Sequence, residues 1–382
     1  MEKRVAIVGV GQTSYVEAKK DQRLEEVIFE AATNALKEAG IDRGDIDSVV
    51  LGAYDLVDGR SISSMITAMP AGGYLKEEIK VCEDGIFAAV LGCMQILSGR
   101  SKITLVSSWS KCSEINLDII TNLNFDPFYE RPLYLNETII LSLQACRYMT
   151  KYNITEEQAA KVTIKNLRNA SQNEYAHRKK SDLQIEDVIN SKAISWPLKF
   201  YDLPPRSDGA CAIVLSSEER AKKIPGDKAW VQGVGWCCGG YYHGDRDLSV
   251  IESLEYSAIK AYKAAGIDKP LEQVDLAEVH DVSSFHELME YEALNFCDPG
   301  EGGRFIDEGG PFINGRLPVN PSGGILSSNP YTAAGLVRLG EAALQIMGRA
   351  KGHQIANVNI ALAHGMTGMR DQGNCVFILS KE

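Results

Sequence analysis

The sequence predicts an α/β protein built from two copies of one strand–helix unit, joined by a more polar insertion. Three observations predict it. Short β-branched runs alternate with segments of helical periodicity along most of the chain. The same ordered set of features occurs twice, displaced by 224 residues at Gly9/Gly233 and by 226 at Ala39/Ala265. A stretch rich in Gly, Ser, Asn and Pro, Leu317 to Gly335, stands in the second copy where the residues around Cys82 stand in the first. Ordered matches at steady spacing mark duplication of a folding unit. Alternation of strand and helix implies mainly parallel sheets covered by helices.

The elements follow in order. RVAIVGVG, Arg4 to Gly11, reads as a buried strand. Leu24, Val27, Ile28, Ala31, Ala35 and Leu36 then share one helical face, and Gly40 is the C-cap. Ser48 to Gly52 is a second apolar strand. Cys82 follows EEIKV and leads into a helix, then Gly99-Arg100 and the strand Ile103 to Val106. Lys111 to Leu203 is longer and more polar, with a helical segment from Thr155 to Asn173, and reads as an inserted subdomain. SDGACAIVL, Ser207 to Leu215, closes the first unit with a buried strand. The second copy then runs through WVQGVG, SAIKAYKAA and AEVHD to the Gly-rich stretch, a helix ending at Arg349, and the strand Val358 to Leu362. This places the first unit at 1–110 and 204–225, the insertion at 111–203, and the second unit at 226–382.

Composition excludes several classes of function. The formal net charge of −11 argues against nonspecific nucleic-acid binding and against an anionic membrane surface. No apolar run approaches the ~20 residues of a membrane span. The N-terminus reads as a strand and not as a signal peptide. Nine cysteines without CxxC pairs suit a reducing cytosol and neither a disulfide framework nor a zinc site, so a cytoplasmic chain without its own metal is expected. Cys237-Cys238 reads as a loop.

Ligands in parallel α/β sheets bind at the carboxyl ends of strands. Cys82, His280 and His364 fall at such ends, and Asn329 lies in the Gly-rich stretch. Cys82 at a helix start would be favoured as thiolate, with Glu83 and Asp84 acting against this. His364-Gly365 offers an imidazole and a backbone N–H together. Tyr331 is either an acid or an aromatic packed on a loop. A Gly-rich loop that opens a helix offers free N–H groups to an anion, or simply makes a tight turn. Ser322, Gly323 and Gly324 are therefore the candidate cofactor-binding residues. Phe125, Phe128, Tyr129 and Tyr134 either line an aromatic acyl pocket or pack the insertion.

The chain resembles the thiolase superfamily, and more narrowly its sterol-carrier-protein-x and lipid-transfer-protein type. TEEQAAKVTIKNLRNASQNEYAHRK is similar to the family's loop-domain helix, and SDGACAIVL to its central strand. HDVSSFHELMEYEALNFCDPGEGGRFIDEGG resembles its HDCF segment, and GRLPVNPSGGILSSNPYTAAG its catalytic loop. The resemblance implies the thiolase fold: two duplicated βαβαβαββ core domains in a five-layered αβαβα arrangement with an inserted loop subdomain. It implies Cys82 as nucleophile and His280 as the HD histidine. Val282 replaces the HDCF cysteine, Asn329 replaces the GHP histidine, and the fourth motif reads His364-Gly365-Met366. It further implies coenzyme A as a substrate, a homodimer, and a small zinc-finger/OB-fold (DUF35-type) partner subunit. The expected activity is cleavage of a β-ketoacyl-CoA by CoA, or the reverse Claisen condensation, through an acyl-Cys82 intermediate. The Cys82 and Gly365 N–H groups would form one oxyanion hole, and His280 with Asn329 the other. With two proton carriers replaced, His364 or His280 would act as base. A retro-aldolase using Tyr331 and a non-catalytic scaffold are the alternatives.

Overall fold

Glycine sets the closest packing of this fold, and it does so twice. The computed structural model describes residues 4–368 and 371–382. Its first strand, β1 (Val5–Gln12), lies against helix α1 (Leu24–Ala39). A Cβ on Gly11 would overlap the carbonyl oxygen of Ala31. In the second unit β6 (Ala229–Cys238) lies against α5 (Glu252–Ala265), and a Cβ on Gly235 would overlap the carbonyl oxygen of Ser257. Only a residue without a side chain lets the helix backbone settle that near the strand. The offsets, 224 in the strand and 226 in the helix, are those of the sequence repeat.

The remaining strands are β2 (Ser48–Gly52), β3 (Glu77–Val81), β4 (Ile103–Ser110), β5 (Gly209–Ser217), β7 (Leu276–Glu278), β8 (Ile360–Thr367) and β9 (Gly373–Ser380). They order as β3-β2-β4-β5-β1-β6-β9-β8-β7 in one nine-stranded sheet. The order reads the same outward from the β1–β6 seam in both directions. Val319 completes the symmetry by bridging Ala277 in parallel, where β3 pairs with β2 in the first unit. The seam itself is short, Ala6 opposite Trp230 and Ile7 opposite Ala229. Parallel pairing holds on the outer side of each unit, in β2–β3, β2–β4 and β7–β8. The inner pairs are antiparallel, because each closing strand runs back between its neighbours.

Two helices fill the middle: α2 (Gly85–Ser98) and α7 (Ala334–Ile346). Every residue of α7 is buried, as in a helix enclosed by protein, and α2 is apolar on nearly every face, with Met94 and Leu97 exposed. Ile86 and Cys93 of α2 share a core with Leu336, Leu339 and Ala343 of α7 and with Val106, Ile213, Ala361 and Phe377 of the sheet. Helices α1 and α5 cover the opposite faces of their units. The layers are therefore αβαβα. The insertion contributes α3 (Glu137–Tyr152) and α4 (Glu156–Ala170). Helix α4 opens with Thr155 and Gln158 satisfying each other's end of a capping box, and it packs on α6 (Ser284–Ala293) of the second unit. Cys237 and Cys238, expected in a loop, instead finish β6.

Candidate functional site

The loops after β2, β3 and β7 and the Gly-rich stretch converge on a cleft of about 230 Å³. Its walls come from both units and from the insertion. Tyr54 and Asp84 belong to the first unit, Glu137 to the insertion, and His280, Asn329 and Tyr331 to the second unit. Val282 also lines it, and contributes an apolar surface.

His280 is held on both sides. Val279 donates its N–H to Asn320 Oδ1 at 2.8 Å. Ile325 and Leu326 donate theirs to the carboxylate of Asp281, at 2.6 and 3.1 Å. The expected anion site of the Gly-rich loop is thus real, but its anion belongs to the protein. A Cβ on Gly324 would strike that same carboxylate, and one on Gly323 would strike Ala170 of α4. Ser322 is fully buried and hydrogen-bonded to Glu278 through both its N–H (3.0 Å) and its hydroxyl (2.6 Å). Ser322, Gly323 and Gly324 are therefore corrected from cofactor-binding to structural residues: they are sealed from solvent and their neighbours are spoken for.

Asn329 does reach the cleft. Its Oδ1 accepts the N–H of Tyr331 at 3.0 Å, so what it offers a ligand is its amide N–H. A neutral amide can donate but cannot take a proton. Tyr331 has φ +37°, a left-handed backbone rare for an aromatic residue. Its hydroxyl donates to Glu137 Oε1 at 3.2 Å.

His364 and Gly365 stand behind the cleft and, among the described residues, do not line it. The His364 ring is fully buried, with Nε2 2.7 Å from Asn374 Oδ1 and Nδ1 3.1 Å from Glu290. The backbone N–H of His280 donates to that Nδ1 at 3.3 Å. This corrects His364 from a base to a residue that positions His280. Gly365 lies against α2 and α7, where a Cβ would sit 2.7 Å from Ile86 Cγ2 and 2.9 Å from Gly335 Cα.

Cys82 is exposed, and among the described residues it does not line the cleft. It also lies outside the helix that was expected to activate it. Helix α2 starts at Gly85, and Asp84 is its N-cap, accepting from Ile86 N at 2.8 Å. Partial burial raises the Cys82 thiol above its ordinary value, Asp55 and Glu83 add to this, and Lys80 opposes it. The thiol needs a base. Asp84, which the sequence alone does not mark as a cleft residue, ties the units together by accepting Gly335 N–H at 2.8 Å. Burial pushes its carboxyl up to about 8, against the backbone N–H groups of Ile86 and Gly335. The aromatic pocket drawn from the insertion does not form. Phe125 is buried and stacked on His243, whereas Phe128, Tyr129 and Tyr134 point to solvent.

Behind His364 lies a buried ion cluster that the sequence reading missed, because its members are spread from 286 to 371. His286 sits between Asp371, at 2.6 Å, and Glu290, at 3.2 Å. Burial alone would lower the imidazole; the two carboxylates outweigh it and lift it to about 10. The unfolded value is about 6.5. The stabilisation is thus full below about pH 6.5 and is lost as pH rises toward 10. Thermal melts between pH 6.5 and 10 should show wild type losing stability relative to His286→Gln. Parallel pH dependences in the two proteins would remove His286 from the account.

Comparison with known proteins agrees with this geometry. The pattern described as "Thiolase, N-terminal domain" matches residues 5–192, and "Thiolase C-terminal domain-like" matches 239–381. The chain belongs to the thiolase family, which places it among acyltransferases that use coenzyme A as a substrate. Within the family its relatives include the sterol-carrier-protein branch. Acetyl-CoA acetyltransferase of Methanothermobacter thermautotrophicus is 30% identical, over 95% of this chain and 96% of its own length. Benzoylsuccinyl-CoA thiolase subunit BbsB of Thauera aromatica is 29% identical over 95% and 94%. Human sterol carrier protein 2 is 27% identical over 95% of this chain and 70% of its own. Among solved structures, the Ltp2-ChsH2(DUF35) aldolase superposes with a TM-score of 0.85 at 23% identity, covering 99% of this chain and 98% of that one. Human mitochondrial 3-ketoacyl-CoA thiolase superposes with 0.74 at 16% identity, covering 99% of each. Among the described residues no helix is long and apolar enough to cross a membrane, and no group of His, Cys, Asp and Glu could hold a metal ion.

Proposed function

We propose that this enzyme cleaves a β-ketoacyl-CoA with CoA, or runs the reverse Claisen condensation, carrying the acyl group on Cys82. The proposed substrate is 2-benzoylsuccinyl-CoA, which would give benzoyl-CoA and succinyl-CoA, a step in aromatic-compound breakdown. The observation that carries the reading is the meeting of His280 and the Asn329 amide in one cleft whose wall includes Asp84. Cys82 is two residues from Asp84, so their Cα atoms are at most about 7 Å apart. The thiol is exposed and open to a thioester. Attack on the ketone carbon and rupture of the C–C bond leave an acyl-cysteine and an acyl-CoA enolate, and CoA then takes the acyl group. His280 is the imidazole in reach as base or oxyanion donor. The near full-length match to a benzoylsuccinyl-CoA thiolase subunit supports the substrate.

A homodimer and a small zinc-finger/OB-fold partner belong to the same proposal. Strand β3 is an edge of the sheet with Ile79 exposed, which suits pairing with a second copy. The similar Ltp2-ChsH2(DUF35) aldolase includes a DUF35 component. Nine free cysteines suit the cytoplasm.

One observation favours a retro-aldolase as the second reading: among the described residues, Tyr331 lines the cleft and Cys82 does not. Product analysis decides between them. A thiolase consumes free CoA stoichiometrically with 2-benzoylsuccinyl-CoA. A retro-aldolase releases an aldehyde or ketone from a β-hydroxyacyl-CoA and consumes none. Release without CoA consumption would replace the first reading by the second.

A further inference from the structure

Either reading requires one proton to be delivered to carbon. Rupture of the C–C bond leaves an acyl-CoA enolate, and its C2 must be protonated. At the two positions where the resemblance to thiolases implies proton carriers stand Val282, which has no titratable group, and Asn329, which cannot accept a proton. The cleft wall supplies another pair. The Tyr331 hydroxyl donates to Glu137 Oε1 at 3.2 Å, and both residues line the cleft.

The pair is held rigidly from both sides. Tyr331 keeps its left-handed backbone because Asn329 Oδ1 accepts its N–H. The next residue, Thr332, is fixed by its hydroxyl to the carbonyl of Trp109 and by its own carbonyl to Ser108 Oγ at 2.8 Å. The Tyr331 ring packs with Leu117 and Val57. Glu137 is the first residue of α3, whose N-cap Asn136 accepts from Ile139 N at 3.0 Å. A backbone conformation of this kind persists only where its surroundings enforce it, and such residues gather at functional sites.

We propose that Tyr331 is the acid that protonates C2 of the enolate and that Glu137, a residue of the insertion, positions and polarises it. The proposal rests on the reading that this cleft handles an acyl-CoA enolate. In the thiolytic direction the phenol O–H bond breaks and a C2–H bond forms, leaving a phenolate. The phenolate then takes the S–H proton of incoming CoA, whose sulfur attacks the acyl-cysteine and releases Cys82. The proton lost by CoA is thus the proton gained by C2, and no further reactant is required. Glu137 keeps the phenol hydrogen bond aimed across the cleft between turnovers.

The reverse of the protonation can be read by itself: the phenolate, formed when the phenol loses its proton to buffer base, takes a C2 proton and, once exchanged with solvent, returns a deuteron. The full-length chain is incubated with acetyl-CoA or succinyl-CoA in D₂O, and deuterium at C2 is measured by mass spectrometry. Wild type should exchange C2 hydrogen well above the buffer rate. Tyr331→Phe should slow exchange by about 10²–10⁴, the usual contribution of a positioned acid or base. Glu137→Gln should slow it by about 10-fold or more at saturating acyl-CoA with the half-saturating concentration unchanged, and Glu137→Asp should recover part of the rate. Circular dichroism and melting of the variants check their folding. Absence of exchange in wild type, or wild-type exchange in folded Tyr331→Phe or Glu137→Gln, overturns the proposal. Acyl trapping on Cys82 is scored separately: a missing adduct with tyrosine-dependent exchange intact removes only the acyl-cysteine route.

Discussion

Cys82→Ala should abolish CoA-dependent cleavage, with a loss on the order of 10⁴-fold or more, and should leave the melting temperature near that of wild type. The size follows from the role. Loss of a covalent nucleophile removes an entire route, and what survives is catalysis by binding and by the remaining donors. The stability expectation follows from the position: Cys82 is exposed, outside the core shared by α2 and α7. Its thiol is raised by burial and by Asp55 and Glu83, so activity should climb with pH until the thiol ionises. Steady-state turnover and mass spectrometry of the protein after substrate mixing check both parts. Near-normal turnover by the alanine variant ends the acyl-cysteine route and leaves Tyr331 chemistry in its place.

Much of the fold was legible because backbone packing leaves a periodic trace. Gly9, Gly11, Gly233 and Gly235 face the alanines of α1 and α5 at one repeated spacing, and no other residue could stand there. The site was legible in part. His280, Asn329 and Tyr331 do share one cleft, because the Gly-rich stretch runs beside β7 within the same unit, Val319 bridging Ala277. The rest failed for identifiable reasons. The Gly-rich loop does bind an anion, but the anion is Asp281, some forty residues earlier, and nothing local to the loop announces it. His364 belongs to a strand, and a shift of one residue along a strand turns a side chain from one face to the other. Asp84 looked like a charge opposing the thiolate. It is instead the cap that sets where α2 begins, and so it holds Cys82 outside the helix. Glu137 carries no mark of its own in the sequence, and only the folded chain sets it beside Tyr331.

Arg338→Met should cost about 3–5 kcal/mol of stability, the usual penalty for leaving a buried charge without its partner. Arg338 lies on α7, fully enclosed, with its guanidinium on Glu278 and 2.6 Å from Ser322 Oγ. Glu278 has no water to turn to. Burial raises its carboxyl, Glu341 raises it further, and Arg338 is the charge that opposes both. Glu341 is committed elsewhere, to His353 at 2.8 Å and to the amide of Gln12 at 2.8 Å. A total stability of roughly 5–15 kcal/mol makes this a large fraction of what holds the fold. The loss should reach catalysis too. Glu278 ends β7 two residues before His280, and Ser322 opens the loop that carries Asn329 and Tyr331, so this ion pair sets the separation of the cleft's two working arms. Denaturant unfolding of Arg338→Met should therefore show a lowered midpoint together with a lowered kcat. The double variant Arg338→Met/Glu278→Met removes both charges and should recover most of the stability, since a packed apolar pair replaces a buried ionic one at little cost. A single variant as stable as wild type, or a double variant no better than the single, would show that the cluster holds its charge by means other than this pair.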